Sequence, residues 1–481
     1  MNRSTDINNN RISYLHLFLF AGLGGIFMSL ITNNFILLAV IVLLPFILIT
    51  LFYTIKNPIV ILYILFIANY FIMGIVRYKE IDGISILIDN FILLCYIMII
   101  IHSKILQNIC WKPIMNILTL WAFIWVFYCC GQLLNPSGIF DGWLSSRGYI
   151  FNGLFISIIA SILCNQYKIV KTILFIFSIL SLLAVIKAFL QKFSGFDNGE
   201  LIWLAKGGAK THIIRSGTRY FSFFTDAGNF GSNMGCSCIM LAIAAFYIKN
   251  KGLKIFYLFV SAGSFYAMLL SGTRGAIIVP LAGLALLTVI SKNIKIMICS
   301  GITLLAIYVF FAFTTIGQGN SQIRRMRTAF TPSQDASFQV RKENQRRLAI
   351  YLKYKPFGEG PGLSGQENRK ISQRFTTSIP NDSWYVKLWV ETGIVGVILY
   401  VGGLFIVIAK GAWIIIFKIK HTELKGILTA MLCGVFGLLL SAYGNPFWGQ
   451  YPTMIIAFIS LSLVLRGEYF DKQLEENQTT R

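Results

Sequence analysis

Charge is what this sequence has least of. Only 13% of its 481 residues are Asp, Glu, Lys or Arg, against 56% hydrophobic, and the mean hydropathy is +0.70. No soluble domain can hide that much apolar surface, so the chain reads as an all-α polytopic membrane protein. Acidic residues are the scarcer sign, 19 against 42 basic, and no Asp-x-Asp pair occurs. Histidine is rarer still: the four (16, 102, 212, 421) are scattered and show no metal-ligand spacing. Also missing are a Gly-rich phosphate loop, a dinucleotide fingerprint and an HExxH. Nine cysteines lie in or beside apolar runs and none in the two long polar loops, so no disulfide framework is implied. Cys236 and Cys238 lack further ligands for zinc and read as small apolar fillers. Together these absences predict no cofactor, no metal and no nucleic-acid partner.

What remains is mostly long apolar runs. Crossing about 30 Å of hydrocarbon takes roughly 20 apolar residues in helix. Runs that qualify lie near 14–31, 35–54, 58–76, 84–102, 113–133, 148–166, 170–190, 228–248, 254–271, 275–291, 294–316, 391–418, 424–443 and 450–466. That predicts about 12–14 transmembrane helices. The first run follows a polar start without a small-residue cleavage pattern and is read as a retained span. With the N-terminus inside, alternate turns carry the lysines: Lys56, Lys104 and Lys112, Lys168 and Lys171, Lys249 to Lys254, Lys292 and Lys295, and Lys418 to Lys425. Both termini are then cytoplasmic and the two long loops lie outside. The expected layout is N-terminal transmembrane helices over 1–190, an outer loop and spans carrying Arg219 and Arg274 over 191–316, and a large outer loop over 317–384. C-terminal spans over 385–466 and a cytoplasmic tail over 467–481 complete it.

The 317–384 loop is the long polar stretch, and its sign is unusual. Twelve residues are basic and five acidic, outside a membrane whose usual bias is positive inside. Long loops cross regardless of charge, so the bias permits this but does not explain it. A cationic surface held against one face fits an anionic, membrane-borne ligand. Within the loop, Asp335-Ala-Ser337 offers N-cap chemistry and 338–354 reads as an amphipathic helix ended by Pro356. Its Phe338, Leu348, Tyr351 and Tyr354 are placed to face the membrane body. Pro356-Phe-Gly-Glu-Gly-Pro-Gly362 is a turn-rich bend. At the loop's end Asn381 or Asp382 is placed to cap a helix running into the next span, with Glu391 facing the membrane further along. The 191–227 loop holds His212 and Arg219 before Tyr220-Phe-Ser-Phe-Phe-Thr-Asp226. Between two spans sits the tight turn Ser271-Gly-Thr-Arg-Gly275. Arg274 there either snorkels to headgroups or is recessed by its flanking glycines and binds a phosphate through its planar fork.

In this order the pieces resemble the O-antigen ligase and O-antigen polymerase superfamily of bacterial envelope glycosyltransferases. Arg219 with Ser222-Phe-Phe-Thr-Asp226 and Asn229-Phe-Gly231 looks like the family's outer arginine and the turn that follows it. Ser271-Gly-Thr-Arg-Gly-Ala276 looks like its Ser-Arg-Gly-Ala turn. Ser337 with Arg341, then Pro356-Phe-Gly358 and Gly360-Pro-Gly362, look like its Ser-x-x-x-Arg and Asn-Pro-x-x-Gly-x-Gly pieces. Asp382-Ser-Trp-Tyr385 with Glu391-Thr-Gly-Ile-Val-Gly396 looks like its histidine-led helix ending Glu-x-Gly-x-x-Gly. Where many members have that histidine, this chain has Asp382.

The resemblance implies an inner-membrane enzyme with a periplasmic site and a polyprenyl-diphosphate-linked oligosaccharide as donor. Arg219, Arg274 and Arg341 would bind the diphosphate, with Arg274 also catalytic, and no metal. Asp382 would be the base that activates an acceptor hydroxyl, or else only a helix cap. Glu391 is taken as structural, and for His212 the role of a substitute base is not favoured over that of an exposed loop histidine. Asn445-Pro446 and Tyr451-Pro452, flanking the last outer turn, either close the site's rim or simply end a helix. The acceptor is a further repeat unit, as in a polymerase, or a lipid A core, as in a ligase; the span count and the absent histidine tilt toward polymerase. A lipid-linked oligosaccharide flippase is the alternative of another class.

Overall fold

The computed structural model describes residues 49–78, 83, 85–106, 109–214, 217–330 and 336–479. Nearly all regular structure among them is helical. A two-residue antiparallel ladder, Ile213–Ile214 with Gly217–Thr218, is the exception. The chain is an all-α polytopic membrane protein. Its longer helices are α1 (Ile59–Ile75), α2 (Ser85–Leu106), α3 (Ile117–Gly131), α4 (Arg147–Leu163), α5 (Tyr167–Phe193), α6 (Ala227–Tyr247) and α7 (Lys251–Leu270). They continue with α8 (Ile278–Ile290), α9 (Ile294–Phe313), α10 (Ala336–Tyr351), α11 (Trp384–Phe417), α12 (Thr422–Ser441), α13 (Thr453–Leu465) and α14 (Gly467–Thr479).

Each predicted span from 58–76 onward has its helix. Among the described residues eight are long and apolar enough to cross a membrane, or nine if α13 and α14, bent by 53°, count as one span. Helices α1, α4 and the Arg274–Ile290 segment are apolar but shorter; Arg147 and Arg274 stand at the very ends of the last two. The expected span 14–31, and residues 35–48 of the expected span 35–54, lie outside the described residues.

Two compact units make up the structure. Among the described residues the smaller comprises 49–61 and 97–106. In it the His102 ring meets the Ile55 carbonyl at 2.8 Å, and the Thr54 hydroxyl donates to Leu51 O at 2.7 Å. The larger, made of the described residues within 62–96 and 109–479, holds the features that follow.

Helices α6 and α12 form the centre of that larger unit, buried over 78% and 83% of their apolar windows, whereas α9 is buried over only 11%. Lipid offers no hydrophobic drive for one helix to join another, so close packing of small residues must do it. Gly231, Ser232, Gly235 and Ser237 on α6 supply that surface, as do Gly426, Gly434 and Gly437 on α12. Side-chain amides add direction: Asn229 Nδ2 donates to Tyr451 O at 2.8 Å, and Asn233 Nδ2 to Thr453 Oγ1 at 2.7 Å.

The long loop is folded onto this body. Its expected helix is α10, which starts two residues early and stops at Tyr351; the expected cap Asp335 lies outside the described residues. Leu348 and Leu352 bury against Ile379 and Val390, with Tyr351 and Trp389 packed around them. Tyr354 was expected to share that face but is 85% exposed. The helix ends before reaching it, so helical spacing no longer governs where it points.

Helix α11 is broken at Gly393, whose backbone (φ 68°, ψ −176°) is not helical. The break leaves carbonyls for the Pro356–Gly362 turn: Glu359 N donates to Val390 O at 2.8 Å and Gly360 N to Glu391 O at 3.0 Å. The approach is so close that a Cβ at Gly393 would sit 1.9 Å from Pro356 O. Glu391 does not face the membrane as expected. It is fully buried and accepts from the Tyr149 and Ser364 hydroxyls at 2.5 Å each, with Lys387 Nζ at 3.9 Å. A carboxylate turned to hydrocarbon would be unpaired; the segment that follows the docked turn brings it a donor, Ser364.

Candidate active site

Arg274 sits in the turn between α7 and α8. Gly272 takes φ +57° to make that turn, a conformation that costs a side-chain-bearing residue. The turn is pinned from two sides: Thr273 Oγ1 donates to Ala227 O at the start of α6, and Ser441 Oγ, at the end of α12, donates to Gly275 O, both at 2.8 Å. The Arg274 guanidinium reaches Thr328 Oγ1 at 3.3 Å. Arg219 approaches from the preceding loop, donating to Thr273 Oγ1 and to Thr211 O at 3.0 Å each. Asp226 caps α6, its carboxylate accepting from Gly228 N and Asn229 N. Arg341 comes from α10 and donates to Gly444 O at 3.3 Å.

Arg274, Arg341 and Asp382 line one cavity of about 480 Å³, together with Thr328, Tyr443 and Gly444. Arg219 does not line it; its guanidinium holds Thr273, next to Arg274. The electrostatics tie the three arginines together nonetheless. Burial lowers the Arg219 pKa, Asp226 opposes this, and Arg274 and Arg341 push it down further. Three like charges in a partly desolvated place are an arrangement that a bound anion relieves.

Asp382 lies 3.8 Å from Arg341 Nε. Burial raises its pKa above the usual aspartate value, and the Arg341 charge opposes the rise. The expectation that Asn381 or Asp382 caps α11 is off by one residue. Ser383 is the cap, its hydroxyl accepting from Tyr385 N at 3.2 Å. Asp382 is thereby free of the capping role and faces the cavity.

His212 is not an exposed loop histidine. It is 2% exposed, its Nε2 accepts from Ala227 N at 3.2 Å, its Nδ1 meets Gly208 O at 2.9 Å, and Trp203 and Phe221 flank its ring. Burial pushes its pKa down to about 4. It is a neutral strut beneath α6. Several loop cations are likewise structural: Arg325 Nε donates to Gly272 O, Arg327 Nη2 to Thr314 Oγ1 at 3.2 Å, and Arg374 Nη1 to Glu359 Oε2 at 2.9 Å. Sequence reasoning overlooked Gln345 and Tyr443, which also line the cavity. Gln345 follows Arg341 by one helical turn, so spacing could have found it. Tyr443 comes two residues before the Asn445-Pro446 turn, which was expected at the rim.

Fold and site thus define a polytopic helical membrane protein with a recessed cluster of arginines and one raised-pKa aspartate. Residues 237–401 match the family described as O-antigen ligase, which agrees with the resemblance of the motifs in that stretch. The match includes the Ser271–Ala276, Ser337–Gly362 and Asp382–Gly396 segments; the Arg219–Gly231 segment precedes it. No curated protein matches the chain.

Proposed function

We propose that this protein is a metal-independent, inverting glycosyltransferase that uses a polyprenyl-diphosphate-linked oligosaccharide as donor at the periplasmic face of the bacterial inner membrane. The observation that carries this reading is the convergence of Arg274, Arg341 and Asp382 on one cavity, with Arg219 next to Arg274. The diphosphate lies against the arginines. As the bond between the anomeric carbon and the phosphate oxygen breaks, negative charge grows on that oxygen, and prepositioned guanidiniums stabilise it most in the transition state. The acceptor hydroxyl attacks the anomeric carbon from the opposite side and gives its proton to Asp382. Polyprenyl diphosphate departs with the bonding pair, and the glycosidic linkage is inverted.

As acceptor we take a further lipid-linked repeat unit, which makes the enzyme a polymerase in O-antigen, capsule or exopolysaccharide synthesis. Charges a transporter would keep in its path are neutralised here: Asp89 pairs with Arg147 at 2.9 Å, and Lys187 with Asp197 and Glu200 at 2.7 and 3.0 Å. The deciding assay supplies purified protein with polyprenyl-diphosphate repeat units, with and without a lipid A core acceptor. Chain growth without core is expected; product only on core makes it a ligase, and no turnover with either ends the transferase reading. Arg274→Ala should lower transfer by about 10²–10³, the scale for losing one donor to a developing anion, with expression unchanged.

A further inference from the structure

We infer that Tyr443 and Gln345 form a sugar-binding subsite beside Asp382 that takes the terminal pyranose of the acceptor. The inference rests on the transferase reading and names the part of the substrate that this wall of the cavity holds. At about 480 Å³ the cavity exceeds what a diphosphate alone fills. The arginines account for its anionic side. Gln345 and Tyr443 lie toward Arg341, the arginine that pairs with the proposed base. Gln345 is four residues beyond Arg341 on α10, and therefore on the same helical face, about 6 Å along the axis. Tyr443 is the residue before Gly444, whose carbonyl accepts from Arg341 Nη1. The Arg341 guanidinium thus touches both the backbone next to Tyr443 and, at 3.8 Å, the proposed base Asp382.

Both are uncommitted in the chemistry that a sugar needs. Tyr443 is 51% exposed. Among the described residues its hydroxyl has no hydrogen-bond partner, and neither has the Gln345 amide. An aromatic ring open to a cavity presents an apolar face to the C–H side of a pyranose. A primary amide both donates and accepts, so it can serve two neighbouring hydroxyls at once. With the ring setting the plane of the sugar and the amide its rotation, one hydroxyl is left toward Asp382. A tyrosine at a helix end can also serve merely as a membrane-interface anchor, and the test separates the two roles.

The test uses the full-length protein with the polyprenyl-diphosphate repeat unit from its own cells as donor. The same oligosaccharide, released from lipid, is titrated as acceptor, and its direct binding is measured by saturation-transfer NMR. Tyr443→Ala and Gln345→Ala should each raise the acceptor KM about tenfold, the scale of one lost stacking or hydrogen-bonding contact, and leave the donor KM within about twofold. Tyr443→Trp keeps the platform and should restore most of the acceptor affinity. An unchanged acceptor KM in Tyr443→Ala, or a rise confined to the donor KM, overturns the subsite. If the wild type binds the free saccharide through Tyr443 yet transfers nothing, the subsite stands and the transferase reading falls. If it neither binds nor transfers, both fall.

Discussion

Asp382 carries two opposing influences, burial that favours its neutral form and the Arg341 charge that favours the ionised one, and burial prevails. The proposed base must be ionised to take a proton, so activity is expected to fall as pH drops through that raised pKa. The acid limb of kcat/KM should therefore lie above the ordinary carboxylate range. Arg341→Gln removes the opposing charge and should move the limb to still higher pH; a limb that stays put or moves down would show that Arg341 does not tune Asp382. Because Ser383 holds the cap, Asp382→Asn should leave thermal stability alone while costing about 10²–10⁴ in rate, the range for general-base catalysis. At this scale the sequence was partly legible. Arginines at helix ends beside glycine or in short motifs announce themselves, since a guanidinium in an apolar chain demands an anion. Which of three adjacent polar residues caps α11 was not legible, because Asn381, Asp382 and Ser383 are all good caps and only tertiary packing chooses. Tyr443 was equally hidden: nothing local links it to Arg341, 102 positions earlier by their numbering.

Element by element, the Gly-rich turn and the Glu391–Gly396 segment make sense only as a pair. Each alone is a weak pattern; docked, one supplies the N–H groups that the other's broken helix leaves wanting. The inward turn of Glu391 follows from this docking, and no count of helical residues from Asp382 could have shown it. Ser222 shows the same logic on the other loop. It takes φ +50°, rare for a residue with a side chain, and its three polar groups are all held, by Gln191, by the Ala184 carbonyl and by Arg77. That fixes the chain between Arg219 and Asp226. Gly393→Ala should destabilise the protein by about 2–3 kcal/mol or more, since it combines an unfavourable backbone region with a clash. Protease accessibility should rise first in the Pro356–Gly362 turn. If Gly393→Ala melts like wild type with that turn still protected, the docking does not set the geometry of the site.

For the whole molecule the open matter is why so many cations gather in one loop. A diffuse positive field would capture anionic substrate from a distance and weaken with salt. The structure shows a different use: Arg325 and Arg327 brace the Arg274 turn and the end of α9, Arg374 neutralises buried Glu359, and Arg341 enters the cavity. Arg346 and Arg347 are of another kind, their side chains 74% and 61% exposed with Glu343 as shared partner. Charges so exposed contribute little in water. If catalysis rests on the recessed cluster, Arg346→Gln with Arg347→Gln should leave kcat/KM within about twofold at physiological salt, where exposed charges are screened beyond about 8 Å. Arg341→Gln, removing half as much charge from the same helix, should cost far more. The comparison is made by running all three proteins across a salt series on the same donor. A steep, salt-dependent loss in the double variant would instead make the loop a long-range electrostatic funnel, with the recessed arginines only its narrow end.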